Sequence, residues 1–205
     1  MKWYIKIKIL LSIGRRMRQT RGTAAPVTLK GFLIQYFFGF NKSCYWPVHF
    51  SSVVSGAQYI KTGTGTAPGL SHGCYIFAAK GSEVEIGDYT LIAPNVGIAG
   101  YNHDLYDYRK NSSFGKTVIG NYSWIGMNAM ILPGVKLGDH TVVAAGAVVT
   151  KSFPEGYVVI GGNPASVIKK IDPQLCVSFT NENAYVGYLD SGEFTKYKKQ
   201  LLHTE

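Results

Sequence analysis

The first 82 residues of this 205-residue chain contain no aspartate or glutamate, yet they hold 11 of its 21 lysines and arginines. All 12 acidic residues lie in the remainder, so the excess of positive charge belongs to the N-terminal part. Charge this one-sided favours an anionic partner, which could be a nucleic acid, a membrane surface or a phosphorylated small molecule. Charge alone does not choose among the three.

Cysteine is scarce, and long apolar runs are missing. Cys44, Cys74 and Cys176 lie far apart without metal-ligand spacing, which argues against a disulfide framework and a zinc site and favours a reducing cytoplasm. The apolar stretch over 1–13 is interrupted by lysines and is shorter than the roughly 20 residues of a membrane span. Arginines follow it, unlike in a secretory signal. With 46% hydrophobic residues, the chain predicts one globular domain.

What the chain does have is a period of six residues. Branched aliphatic residues recur without a miss at Ile119, Ile125, Ile131, Leu137, Val143 and Val149, and mostly small residues follow four positions after each. An earlier run has the same spacing at Ile86, Ile92 and Ile98. A helix needs apolar spacings of three and four, so this period predicts very short parallel strands that stack turn upon turn around an aliphatic core.

The phase of the repeat breaks between the two runs. Fifteen residues, 104–118, are extra, and we predict that they leave the coil as a protruding loop with His103 at its root. Loops on a rigid scaffold are where function concentrates.

The remaining boundaries follow from composition. We predict a basic, aromatic flank over 1–59, some of whose aromatic residues cap the first coil, and the repeat domain over 60–162. The segment 163–205 is predicted to be a short helix and a tail. Asn163 as N-cap and Pro164 at the first helical position indicate a helix over 165–171.

Several motifs occur in a fixed order along the repeat. They are Asn102-His103-Asp104, Trp124-Ile125-Gly126, Pro133-Gly134-Val135, the run from Ala144 to Lys151, and Gly162-Asn163-Pro164-Ala165. With the hexads, they resemble the hexapeptide-repeat acetyltransferases, closest to the sugar O-acetyltransferase branch related to maltose, nodulation-factor and colanic-acid acetyltransferases. The resemblance covers about residues 60–171. It implies an all-β, left-handed parallel β-helix, an exception to the right-handed crossover rule, assembled as a homotrimer with acetyl-coenzyme A between subunits.

The resemblance also assigns a base and an acceptor site. Transfer of an acetyl group to a sugar hydroxyl needs a base, because an alcohol hardly ionises at neutral pH. His103 is expected to be that base. Asp104 is expected to help bind the acceptor or orient the ring, with Asn102 beside them. His72 is a further candidate to line the acceptor cleft.

The developing oxyanion requires donors already in place, and the backbone amides of Gly126 and Met127 are the candidates. A glycine needed only for the corner is the alternative at Gly126. By resemblance, Trp124 walls the pantetheine channel. Further cofactor contacts are expected from Ala145, Thr150, Lys151, Pro164, Lys169 and Lys170. The lysines would meet the phosphates, although solvated lysines and a helix-start proline explain the same residues.

These assignments predict a metal-free, acetyl-coenzyme A-dependent enzyme that O-acetylates a saccharide, in the cytoplasm, during synthesis of a surface polysaccharide. N-acetylation of a nucleotide-linked amino sugar stays open. A γ-type carbonic anhydrase would need three zinc-binding histidines, two of them close in sequence, and the five histidines here lack that spacing. A non-catalytic β-solenoid would have no use for the motifs.

The repeat also changes the interpretation of the N-terminal charge. Nucleic acid is no longer a leading partner. The basic flank is interpreted as facing an anionic acceptor or the anionic inner face of a membrane.

Overall fold

The computed structural model describes residues 1–203. It consists mostly of short strands, with a few short helices, and most strands belong to three sheets. Sheet I contains, in spatial order, Val53–Ser55 (β1), Tyr75–Phe77 (β3), Gly97–Ala99 (β6), Met130–Ile131 (β11) and Val148–Val149 (β14). Sheet II contains Ala165–Lys170 (β16), Val158–Gly162 (β15), Val142–Val143 (β13), Trp124–Ile125 (β10) and Leu91–Ile92 (β5). Sheet III contains Lys136–Leu137 (β12), Thr117–Ile119 (β9), Val84–Ile86 (β4) and Ile60–Thr62 (β2).

The six-residue period sets the order in which the chain visits these sheets. From β9 to β14, successive strands lie in sheets III, II, I, III, II and I, and we call each set of three a circuit. Hexad aliphatics are therefore in register: Ile125 lies beside Ile92 on one side and Val143 on the other. All six aliphatics of the second run are at most 2% exposed. Each stabilises the fold by about 1.5–3 kcal/mol, and the prediction of short stacked parallel strands is confirmed.

Helices and aromatic residues cover the first circuits. The N-terminal helices are Trp3–Leu11 (α1), Ile13–Gln19 (α2) and Leu29–Tyr36 (α3). Phe32, Tyr45 and Trp46 are buried in the core, and the indole N–H of Trp46 donates to the Pro68 carbonyl at 2.8 Å. Strand β1 already pairs with β3, so the sheets begin before residue 60. No helix within residues 1–203 is long and apolar enough to cross a membrane.

The break in the repeat is a hairpin. Tyr101–His103 (β7) pairs with Asn111–Ser113 (β8) in antiparallel fashion, and the chain re-enters sheet III at Thr117. The excursion therefore begins three residues before the predicted loop at 104–118.

The predicted helix over 165–171 is wrong. These residues form strand β16, which pairs with β15 in antiparallel fashion. Asn163 and Pro164, the residues expected to start a helix, form the tight turn of a hairpin, and the peptide bond between them is cis. The backbone N–H and C=O groups along the free edge of β15 need hydrogen-bond partners. Strand β16 supplies them, and its β-branched Val167 and Ile168 favour a strand.

A helix does occur nearer the C-terminus. It is Ser191–Leu201 (α4), and it follows a hairpin of Tyr185–Val186 (β17) and Leu189–Asp190 (β18). The Asp190 carboxylate accepts from the Glu193 amide at 2.9 Å, and Glu193 accepts from the Asp190 amide at 3.3 Å. This reciprocal capping box has a sequence signature, Asp-x-x-Glu, that could have located the helix.

Glu193 also joins the two ends of the chain. Its carboxylate oxygens lie 2.9 Å from Nη2 of Arg16 and 2.8 Å from Nζ of Lys8. The Arg16 side chain is fully buried, and it also donates to the Ser12 hydroxyl at 3.0 Å and to the Tyr188 carbonyl. A buried guanidinium with this many acceptors ties helix α2 to helix α4.

We expect the Glu193 carboxylate to make stability depend on acid pH. Burial alone would raise the pKa of Glu193, but hydrogen bonds from Lys8 and Arg16 outweigh it and lower the pKa from 4.5 to about 2. A depressed pKa stabilises the folded state above the unfolded value, and this contribution is lost as pH falls through the folded value. The free energy of unfolding should therefore drop between pH 4.5 and about 2.

Denaturant titrations at a series of pH values measure this effect. Because other carboxylates titrate in the same window, the informative quantity is the difference from Glu193→Gln, which should lack the extra loss. The exposed Glu155→Gln serves as the matched control and should follow the wild type. Parallel curves for wild type and Glu193→Gln would contradict the assignment.

Candidate functional site

His103 ends strand β7 at the root of the hairpin, and its side chain is exposed. Its backbone register is fixed opposite Asn111, and the exposed Asn102 lies opposite Ser112. The predicted base is thus held on an ordered strand and is open to a ligand.

Asp104 has a different set of partners from the one expected. Its carboxylate accepts from the amides of Tyr106 and Asp107, each at 2.9 Å, and from the Ser112 hydroxyl at 3.3 Å. The two backbone hydrogen bonds hold the pKa of Asp104 below its ordinary value. Within residues 1–203 it makes no hydrogen bond to the His103 ring, so its observed contacts shape the hairpin.

Met127 lies at the corner between sheet II and sheet I. The preceding Gly126 amide already donates to the Val143 carbonyl at 2.8 Å, which corrects its expected role as an oxyanion donor. A Cβ at Gly126 would lie 2.7 Å from backbone atoms of Val143 and Ala145, so close approach of the next circuit requires this glycine. The Met127 carbonyl accepts from Gly146, whereas the Met127 amide has no hydrogen-bond acceptor among residues 1–203. One predicted oxyanion donor remains available.

Sheet II and the corners next to its strands hold most of the predicted cofactor contacts. Trp124 projects from β10 with 53% of its surface exposed, as the pattern predicts, and Ala145 is exposed at the neighbouring corner. Strands β13 and β15 separate β10 from β16, which places Trp124 about 14 Å from the exposed Lys169 and Lys170 at the strand spacing of a sheet. Pro164 is exposed in the turn before β16. An extended ligand could reach from the aromatic ring to the two cations.

Thr150 and Lys151 lie elsewhere. Both are exposed where the chain leaves sheet I after β14, and Lys151 Nζ is 5.7 Å from the Phe153 ring centroid. His103 likewise follows a strand of sheet I, whereas Met127 precedes one. His103 and Met127 therefore lie at opposite ends of the sheet I strands. Within one chain, no hydrogen bond among residues 1–203 joins the hairpin of His103 to the Met127 corner.

His72 lies on the Met127 side. It is exposed, and its carbonyl accepts from the Asn95 amide at 3.0 Å. The Pro94 carbonyl in turn accepts from Asn128, next to Met127, at 3.2 Å. His72 is therefore two circuits, about 10 Å, from the free amide. Its place in an acceptor cleft stays a prediction.

A column of stacked rings lies at another corner and was not predicted from the sequence. Tyr89, Tyr122, His140 and Tyr157 succeed one another with ring centroids 5.5, 5.0 and 5.1 Å apart. All four have positive φ, between 49° and 53°. The signal was present in the sequence, since the first three rings each follow Gly-Asp or Gly-Asn at the same point of the hexad.

The column borders a cleft of 320 Å³ beside Trp124. The Tyr122 hydroxyl donates to the Phe179 carbonyl at 2.9 Å, and the Asn181 amide donates to the Tyr89 hydroxyl at 3.1 Å. These bonds fix the C-terminal segment as one wall, and the segment after α2 supplies another. Within residues 1–203 there is no group of three or more His, Cys, Asp or Glu side chains that could hold a metal ion.

Comparisons with known proteins support the six-residue repeat found in the sequence. Residues 116–151 match the family described as bacterial transferase hexapeptide (six repeats). Over 93 residues the chain is 46% identical to the galactoside O-acetyltransferase of Escherichia coli (strain K12), covering 43% of this chain and 45% of that protein. The chain thus spans a little under half the length of the curated relatives it matches first.

Two solved structures resemble most of the chain. A galactoside acetyltransferase in complex with coenzyme A is 25% identical with a TM-score of 0.56, covering 86% of this chain and 88% of that one. A maltose O-acetyltransferase from Clostridium difficile 630 is 25% identical with a TM-score of 0.50, covering 82% and 89%. The resemblance to hexapeptide-repeat acetyltransferases is confirmed, and residues 116–151 are a hexapeptide-repeat segment.

Proposed function

We propose that this protein transfers an acetyl group from acetyl-coenzyme A to a hydroxyl of a saccharide. The observation that carries the proposal is the exposed His103 at the root of a hairpin that interrupts a hexapeptide-repeat scaffold. Sugar O-acetyltransferases among the relatives, and a structural neighbour solved with coenzyme A, support the choice of donor and acceptor.

The chemistry assigns one task to each group. The acceptor oxygen forms a bond to the thioester carbonyl carbon while the free imidazole nitrogen of His103 takes the hydroxyl proton. The carbonyl oxygen becomes negative, and the Met127 amide donates to it. The carbon–sulfur bond then breaks, and the leaving thiolate receives the proton from the His103 ring. Proton and charge balance over the cycle.

The residues present fit coenzyme A as a substrate. The exposed indole of Trp124 offers an apolar wall for the pantetheine arm. Lys169 and Lys170, with Lys151, offer cations for its phosphates. Ala145, Pro164 and, next to Lys151, Thr150 are exposed and are proposed as further contacts.

We further propose that the three sheets close into a left-handed parallel β-helix and that three copies form a homotrimer with sites between subunits. This assembly is supported by the position of His103, which follows a sheet I strand, whereas Trp124 and Met127 precede one. Within one chain, the proposed base and the proposed oxyanion donor therefore lie at opposite ends of the sheet. A neighbouring copy that packs its hairpin against the sheet II corner would complete the site, with Asn102, Asp104 and His72 near the acceptor.

The cellular setting is part of the proposal. We place the enzyme in the cytoplasm, in the synthesis of a surface polysaccharide, with residues 60–162 as the catalytic domain between a basic flank and a C-terminal segment. N-acetylation of a nucleotide-linked amino sugar is the rival reaction, because a free amine needs less help from a base.

Turnover on paired acceptors tests the function. Purified protein should release coenzyme A from acetyl-coenzyme A in the presence of galactosides or maltose, and mass spectrometry should find the acetyl group on oxygen. The matched acceptors are the corresponding amino sugars and their nucleotide-linked forms. Acetylation only on nitrogen would replace the proposed reaction with its rival, and no transfer to any saccharide would refute both.

A further inference from the structure

Helix α1 exposes apolar side chains on the face opposite to the one it buries. Ile5 and Ile9 are fully buried against the core. The outward side chains recur at spacings of four, three and one, with 72%, 47%, 44% and 84% of their surfaces exposed: Trp3, Ile7, Leu10 and Leu11. A surface helix of a globular protein normally carries polar residues on that face.

Helix α3 repeats the arrangement. Phe32 is buried, whereas apolar side chains spaced four apart face outward with 40%, 41% and 78% exposure: Leu29, Leu33 and Phe37. Exposed Phe38 follows directly. Nζ of Lys6 in α1 lies 4.9 Å from the ring centroid of Tyr36 in α3, so the two helices are neighbours. We call their exposed apolar residues the N-terminal apolar surface.

Cations adjoin this surface without acidic neighbours in the sequence. The first acidic residue of the chain is Glu83. Lys8 and Arg16 are held by Glu193. The remaining seven basic residues of 1–50 form no ion pair within residues 1–203: Lys2, Lys6, Arg15, Arg18, Arg21, Lys30 and Lys42.

We infer that the N-terminal apolar surface lies in the interface of a membrane rich in anionic phospholipid. Its aromatic and aliphatic side chains would enter the boundary between headgroups and acyl chains, while the seven cations meet lipid phosphates. Charge complementarity favours lipid over a second copy of the same surface, which would bring cations against cations. The inference does not rest on the proposed acetyl transfer.

Vesicle co-sedimentation of the full chain tests the inference. Wild type should bind vesicles of phosphatidylcholine mixed with phosphatidylglycerol and should bind phosphatidylcholine alone far more weakly. Removing two cations by Arg15→Gln with Arg18→Gln should lower binding to the anionic vesicles about tenfold or more. Removing apolar surface by Trp3→Ser with Leu11→Ser should lower it by a similar factor, because both side chains would leave the interface.

Two matched double variants act as controls. Leu175→Ser with Val177→Ser removes apolar side chains that are 80% and 75% exposed elsewhere. Lys110→Gln with Lys136→Gln removes two exposed cations elsewhere. Both should bind vesicles like the wild type.

Three outcomes would overturn the inference. One is equal binding of wild type to neutral and anionic vesicles, and another is equal loss in the test and control variants. The third is a smaller particle mass for Trp3→Ser with Leu11→Ser in the absence of lipid, because the surface would then join copies of the chain. All six substituted positions of the test and apolar control variants are exposed, so these variants are expected to fold, which far-ultraviolet circular dichroism would check.

Discussion

Replacing His103 with alanine should lower kcat for acetyl transfer by about 100-fold or more while the protein remains folded, because a general base typically contributes 10²–10⁴-fold. The side chain is exposed at the end of a strand, so its loss leaves neither a cavity nor an orphaned partner. Steady-state kinetics with a saccharide acceptor measures kcat, and calorimetry measures the affinity for coenzyme A, which should be unchanged.

The matched control for this prediction is His203→Ala. His203 is also exposed, and its backbone amide, which the substitution keeps, makes its hydrogen bond to Gln58. The kcat of His203→Ala should equal that of the wild type. Near-normal turnover in a folded His103→Ala protein would remove His103 from the mechanism and leave the choice of base open. A loss confined to KM would instead make His103 a binding residue.

Replacing Arg16 with alanine should lower the free energy of unfolding by about 3 kcal/mol or more, as removal of one partner from a buried ion pair typically does. The substitution leaves the Glu193 carboxylate with Lys8 alone and the Tyr188 carbonyl without its guanidinium donor. Equilibrium denaturation measures the change. Exposed Arg18→Ala, on the same helix, should shift stability by no more than about 0.5 kcal/mol.

A double variant separates the loss of the Arg16–Glu193 pair from the cost of leaving the Glu193 carboxylate without its buried partner. Arg16→Met with Glu193→Met should be more stable than Arg16→Ala, since no buried carboxylate is then left with the half-exposed Lys8 as its one cation. Lys8 is then left unpaired, but its side chain is 48% exposed and stays solvated. If the double variant were the less stable of the two, the pair would stabilise the fold by more than its desolvation costs.

The repeat made the sheet-forming part predictable. A period of six predicts short stacked strands with every sixth aliphatic buried, and Ile125 and Val143 do lie in adjacent strands. The sequence predicted a helix where residues 165–170 form a strand, because Asn-Pro can begin either a helix or a turn. The open edge of β15 decided between them, and that edge is visible only in three dimensions.

The candidate site was predictable by residue type more than by position. The hairpin at His103 followed from the break in the repeat. The sequence could not show that the Gly126 amide is committed to the Val143 carbonyl, because that bond joins successive circuits. It also could not show that His103 and Met127 belong to opposite ends of the sheet I strands.

By itself, the sequence determined the aliphatic core and the one-sided charge, because both depend on residue identity at a fixed spacing or in a fixed segment. The tertiary structure alone decided which polar groups are free. Arg16 and Lys8 pair with Glu193, and the Asp104 carboxylate accepts hydrogen bonds within its own hairpin. Among residues 1–203, the Met127 amide has no hydrogen-bond acceptor and seven N-terminal cations form no ion pair. Hydrogen bonds and ion pairs form between residues far apart in the chain, so their pairing depends on how the circuits and the terminal helices pack.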